Sequence, residues 1–239
     1  MATFATILTD LLKHDPGRPL VTFYDHASGE RTELSFTTYA NWVAKTGSLL
    51  AEELDLERGQ DLRIDLPTHW LTPVLLGAAW TVGLVVTLGD QPHHRQPAAV
   101  VCGPSSLDRW APYAADTVVV ASALHPLGRP FGEAVPPGVH DFGAEVWSQP
   151  DAFTPWDPPG PDDFALPGTS HRELFEAAAG GSLLTDGGRL FTEENPASPS
   201  GLSSFTEPFV RRGSVVLVAH PDPARVEETF SAERATARA

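Results

Sequence analysis

The sequence predicts an α/β protein built from mostly parallel βαβ units, and three features carry that expectation. Apolar runs rich in valine, such as "LVVTLG", "AAVVCG", "TVVVAS" and "SVVLVAH", alternate with segments of helical period. Glycine and proline punctuate the joints between them, with 20 and 23 residues respectively. The uncharged stretch from Leu71 to Gly89 divides at Gly83 into a helix and a β-branched strand.

The elements follow in order. Phe4, Ile7, Leu8, Leu11 and Leu12 lie on one face of an N-terminal amphipathic helix. "PLVTFYD" and "RTELSF" read as a hairpin closed by "HASGE", with Gly29 in the turn. "SFTTYANWVAKTGSLLAEEL" gives a long helix capped by Ser35 or Thr37, with Phe36, Tyr39, Trp42, Val43, Leu49 and Leu50 as its core stripe. Strand "GQDLRIDLP", helix "THWLTPVLLGAAWTVG" and strand "LVVTLG" come next. Beyond the loop "DQPHHRQP" stand "AAVVCG", a short helix near "SLDRWAPYA", and "TVVVAS". A Pro-rich segment runs from His125 to Pro161, with a small helix at "DFGAEVWS". "PSGLSSFTEPFVRRG", strand "SVVLVAH" and helix "DPARVEETFSAERATA" close the chain. The expected division is a first α/β lobe over 1–160 and a smaller α/β segment over 161–239 packed on it, with one domain as the alternative.

Composition narrows the function. The 239 residues carry 31 acidic and 16 basic side chains, a net charge of −15. That surface repels nucleic acid and anionic membranes, so neither is an expected partner. Pro73, Gly77, Gly83 and the strand after it argue against a membrane span in the uncharged stretch. The N-terminus lacks the basic region and cleavage site of a signal peptide, and a cytoplasmic location is expected. Cys102 is the single cysteine, which excludes an internal disulfide and a cysteine-based zinc cluster. Its apolar run marks it as a buried thiol rather than a nucleophile.

Four residues near the loop "DDFALPGTSHREL" form the candidate site: Asp163, Thr169, Ser170 and His171. Small hydroxyl residues beside Gly168 at a helix start can bind an anion. The glycine spacing fits no nucleotide fingerprint, however, and no lysine stands nearby. Ser170 and Glu173 have the spacing of a capping box, a purely structural role in which Glu173 would compete with an anion. His93 and His94 lack a partner at metal-ligand spacing and read as loop histidines. Asp162 and Asp163 lack the phosphate site that would give them a magnesium ion to hold. No G-x-S-x-G occurs, and neighbours such as Ser170 and His171 do not face each other on a helix. No catalytic residue and no metal ligand is assigned. The tryptophans read as core or loop anchors.

Taken together, this run of elements resembles the N-terminal region of the adenylate-forming (AMP-binding) acyl-CoA synthetases. The stretch from "RPLVTFYDHASGERTELSF" to "WTVGLVVTLG" is similar to the opening of that family. Gly59-Gln60-Asp61 and Pro67-Thr68 stand where it has G-D-x-V-x-x-x-x-P-N. "SGLSSFTEPFVRRGSVVLVAHPDPARVEETF" resembles its pattern around F-D-P. The chain also resembles an actinobacterial group of shortened synthetase-like proteins, in keeping with its Ala, Arg, Pro and Gly bias.

The resemblance implies a specific loss. In the family, a strand like "DDFAL" leads into a Ser/Thr/Gly-rich phosphate loop ending in Pro-Lys-Gly, and then into a T/S-H-x-x-L helix. Here "DDFAL" is followed directly by "PGTSHREL", so His171 and Leu174 match the helix while the loop is gone. The chain also stops before the family's Tyr-Gly-x-Thr-Glu motif and its C-terminal domain. Stand-alone adenylation is therefore not expected, nor is a cofactor. The implied function is a non-catalytic protein with a binding or interaction role, as a homo-oligomer or with a protein partner. The alternatives are residual binding of ATP with Mg, AMP or an acyl ligand, and a subunit completed in trans.

Overall fold

Capping and glycine placement set the first elements of the computed structural model, which describes residues 3–89 and 96–239. His93 and His94 lie outside the described residues. Thr3 and Thr6 close a capping box at the start of helix α1 (Phe4–His14), which buries Phe4, Leu8 and Leu11. Strands β1 (Pro19–Asp25) and β2 (Arg31–Ser35) form the expected antiparallel hairpin. Gly29, at φ +79°, takes the left-handed position of its turn. Ser35 caps α2 (Phe36–Ser48) by accepting the Thr38 N–H at 3.1 Å, and the helix runs on into a π-helical turn, Leu49–Glu53.

Strand β3 (Asp61–Asp65), helix α3 (Leu71–Val82) and strand β4 (Val85–Leu88) follow, with Gly83 in the left-handed conformation that ends the helix. Then come β5 (Ala99–Cys102), α4 (Leu107–Trp110), β6 (Val118–Ala121), β7 (Val139–Asp141) and α5 (Phe142–Glu145). The last part holds β8 (Phe164–Leu166), β9 (Thr169–Ser170), α6 (His171–Ala179) and β10 (Arg189–Thr192). It closes with α7 (Ser203–Val210), β11 (Ser214–Ala219), α8 (Pro223–Ala232) and β12 (Ala237–Arg238).

Two large sheets result. The first has the order β12-β10-β11-β1-β2 and is parallel except for the β1–β2 edge. The second, β4-β3-β5-β6-β7, is parallel throughout. Strands on both sides of residue 160 share the first sheet, with Val21 facing Val215 in the β1–β11 register. Strand β8 joins neither large sheet; it pairs only with β9, antiparallel.

One hydrophobic core connects the sheets through α1, α2, α3, α6 and α7. Phe4 stacks on Phe209 with ring centroids 4.8 Å apart. The buried Tyr39 hydroxyl donates to the Pro73 carbonyl at 2.8 Å, which ties α2 to α3. The Trp80 indole N–H donates to the Ala165 carbonyl at 3.0 Å and so fixes β8 over α3. Helix α3 is buried on nearly every face, which explains its lack of charge. Among the described residues, no helix is long and apolar enough to cross a membrane.

Candidate functional site

The candidate residues meet in one tight turn between β8 and α6. Gly168 adopts φ +73°, reversing the chain between β8 and β9 so that Phe164 pairs with Ser170 and Leu166 with Thr169. The reversal is closed by the His171 N–H, which donates to the Asp163 carbonyl at 2.9 Å. The Arg172 N–H donates to the Pro161 carbonyl at 2.9 Å.

Helix α6 begins with the capping box its sequence predicted. The Ser170 hydroxyl accepts the Glu173 N–H at 3.3 Å, and Glu173 Oε2 accepts the Ser170 N–H at 2.8 Å. The same oxygen accepts the Ser170 hydroxyl at 2.7 Å. These bonds from Ser170 hold the Glu173 carboxyl below the usual carboxylate range. The helix end therefore already carries an anion, its own glutamate.

The four candidate side chains have separate surroundings. Asp163 accepts the Gly160 N–H at 2.6 Å and the Arg58 guanidinium at 3.0 Å. The backbone donor first, and Arg58 after it, hold its carboxyl below the ordinary value. Thr169 is partly exposed on the hairpin. Ser170 is buried and engaged with Glu173. His171 is fully buried against Phe175, with ring centroids 6.2 Å apart, and neither ring nitrogen has a hydrogen-bond partner. Burial pushes its pKa down to about 4, so the ring is neutral. No hydrogen bond links His171 to Ser170, and the serine has no histidine to activate it.

Arg58 is a residue the sequence reading did not single out. Its Nε donates to Asp157 at 2.8 Å while Nη1 reaches Asp163, so one guanidinium fastens the Pro-rich segment and the β8 turn. Nothing local in "LERGQ" signals this, since its partners lie 99 and 105 residues away. Among the described residues, no group of three metal-ligating side chains gathers.

Three relatives by structure share this arrangement of elements. An acyl-CoA synthetase from Brucella canis superposes with a TM-score of 0.81 at 17% identity, covering 99% of this chain and 47% of its own. ATP-bound MatB from Rhodopseudomonas palustris gives 0.74 at 19% identity, covering 98% and 48%. A luciferase-like enzyme from the mealworm Zophobas morio gives 0.74 at 12% identity, covering 99% and 59%. These likenesses establish the fold, that of the N-terminal part of acyl-CoA synthetases, and this chain spans about half the length of the first two of these structures. The resemblance read from the sequence holds at that level. No family profile matches the chain. By sequence, a TIGR03089 family protein of Mycobacterium tuberculosis is 35% identical over 96% of this chain and 95% of its own length. The chain is a member of the TIGR03089 family.

Proposed function

We propose that this protein is a non-catalytic relative of the acyl-CoA synthetases that works by binding, as a homo-oligomer or with a protein partner, in the cytoplasm. The observation that carries this reading is the self-contained start of α6. A nucleotide phosphate needs free N–H donors and a local positive charge. Here Glu173 takes the serine donors, and the two guanidinium groups near the turn are already engaged, Arg58 by Asp157 and Asp163 and Arg172 by Asp162. An incoming phosphate would have to displace a carboxylate at each place. Stand-alone adenylation is not part of this reading.

Calorimetric titration with Mg-ATP, followed by AMP, tests it. The expected result is no binding heat with either. A Kd tighter than about 100 μM, worth about 5.5 kcal/mol, would overturn the reading. In its place would stand a residual nucleotide site at Asp163, Thr169, Ser170 and His171. The observation favouring that second reading is the buried His171 ring beside the turn, both of whose nitrogens lack a partner. It requires Ser170→Ala and His171→Ala to abolish the heat.

A further inference from the structure

The binding reading leaves the partner's chemistry open, and a groove on the Pro-rich side of the molecule supplies it. The groove measures about 520 Å³ and lies between the π-helical turn after α2 and the segment Phe153–Asp157. Its floor is apolar, made by Ala51, Leu56, Val82 and Phe153. Phe153 is fixed there by close approach to Gly47, where an added Cβ would come within 2.8 Å of the ring. Its charged rim is mainly acidic: Glu52, Glu57 and Asp157. Among the described residues, no cation pairs with Glu52 or Glu57, and Asp157 shares the groove's only guanidinium, Arg58, with Asp163.

Trp156, in the same lining, is 102% exposed, with its whole ring in water. An exposed ring alone would mark nothing, but this one lines the same groove as the apolar floor, and a continuous apolar patch of that kind marks a contact surface. The Trp156 backbone is held on both sides, by Phe153 packed against the core and by Asp157 on Arg58. The same guanidinium also holds Asp163, whose neighbour Phe164 is 53% exposed.

We infer that this groove docks a basic, extended segment of a partner protein. An arginine or lysine side chain would lay its methylenes on the apolar floor and its charge over the Trp156 ring, facing Glu52, Glu57 and Asp157. The net charge of −15 would draw such a segment in. An extended chain can use the apolar floor, the Trp156 ring and the acidic rim together, whereas a small cation would use the one ring. The inference rests on the proposed binding role and gives the partner its chemistry.

The test is fluorescence anisotropy of a labelled hexapeptide of alternating leucine and arginine, titrated with the full chain. Saturable binding is expected, weakened on the order of tenfold by Trp156→Ala. Glu57→Gln should weaken it several-fold, whereas Glu228→Gln, on the exposed face of α8, should leave it unchanged. Equal losses from the two glutamine variants, or none from Trp156→Ala, would reduce the effect to diffuse charge attraction and overturn the inference. So would competition by tetramethylammonium at the peptide's own affinity, which would assign the groove to a small cation. Failure here with a silent nucleotide titration removes this groove alone; heat from Mg-ATP would remove the binding reading itself.

Discussion

The His171 N–H donates to the Asp163 carbonyl at 2.9 Å, joining the start of the strand-like run "DDFAL" to the first residue of α6. In the resemblance read from the sequence, a phosphate loop would part these two residues. Here a tight hairpin takes up the space between them, and its turn needs only Gly168 in the left-handed conformation. The segment thus makes backbone bonds within itself, and its donors are not left for a ligand.

If Ser170 serves as a cap, its removal is felt in stability. Ser170→Ala should lower unfolding stability by about 1 kcal/mol, and Ser170→Gly by only a few tenths, the pattern of N-cap substitutions. Urea unfolding of the three proteins measures this. An unchanged midpoint in the alanine variant would show that the cap bonds add nothing and return the serine to the list of candidate ligand contacts.

Acid should unfold the protein partly through its buried imidazoles. Burial depresses His171 to about 4 and His69 to about 3, against an ordinary value of 6.5. Both are neutral when folded near neutral pH, while the unfolded chain takes up their protons below 6.5. The unfolded state therefore binds more protons in that window, and stability falls as pH falls from 6.5 toward 4 for His171 and toward 3 for His69. Urea unfolding at about pH 7, 5.5 and 4.5 should show a shallower loss in His171→Phe than in the parent. Parallel pH profiles in the two proteins would mean that His171 ionises while folded.

The elements with local signals were readable, and those made by distant pairing were not. Gly29 and the alternation around it announce the β1–β2 hairpin, and Gly83 divides α3 from β4. Strand β10 contains only "RLFT", buried over three of its four residues, too short for alternation to declare it. Strand β12 is two residues long and exists because β10 offers it an edge. Membership of β1 and β11 in one sheet depends on contacts across nearly the whole chain, which no window can contain. At the site, the Ser170–Glu173 cap was legible from spacing alone. The Arg58 clamp was not, because an arginine in a polar turn gives no sign of two carboxylates that folding brings to it.

Cys102 should be silent to thiol reagents until the protein unfolds. It is fully buried on β5, and burial pushes its thiol up to about 12, so the reactive thiolate is scarce at neutral pH. Ellman's reagent should report no reaction under native conditions and one thiol per chain in denaturant. Rapid reaction of the native protein would mean that the strand opens locally.

Gly77 sets helix propensity against packing, and packing should win. Alanine in the middle of α3 would gain about 1 kcal/mol over glycine from backbone entropy alone. At this position, however, the new Cβ would stand 2.6 Å from the Phe4 ring and closer still to the Tyr39 hydroxyl. Both rings are fully buried, and the Tyr39 hydroxyl is held by the Pro73 carbonyl, so neither can retreat cheaply. Overpacking of this kind costs about 1–3 kcal/mol, which matches or exceeds the helical gain. Gly77→Ala should therefore lower the Tm, although the same change in an exposed helix would raise it. Pairing it with Tyr39→Phe separates the terms, since removal of the hydroxyl relieves the closest contact. The double variant should lose less than the sum of the two single changes. Strict additivity would show that α1 yields to the methyl instead, and that glycine is not required for the close approach of α2 and α3.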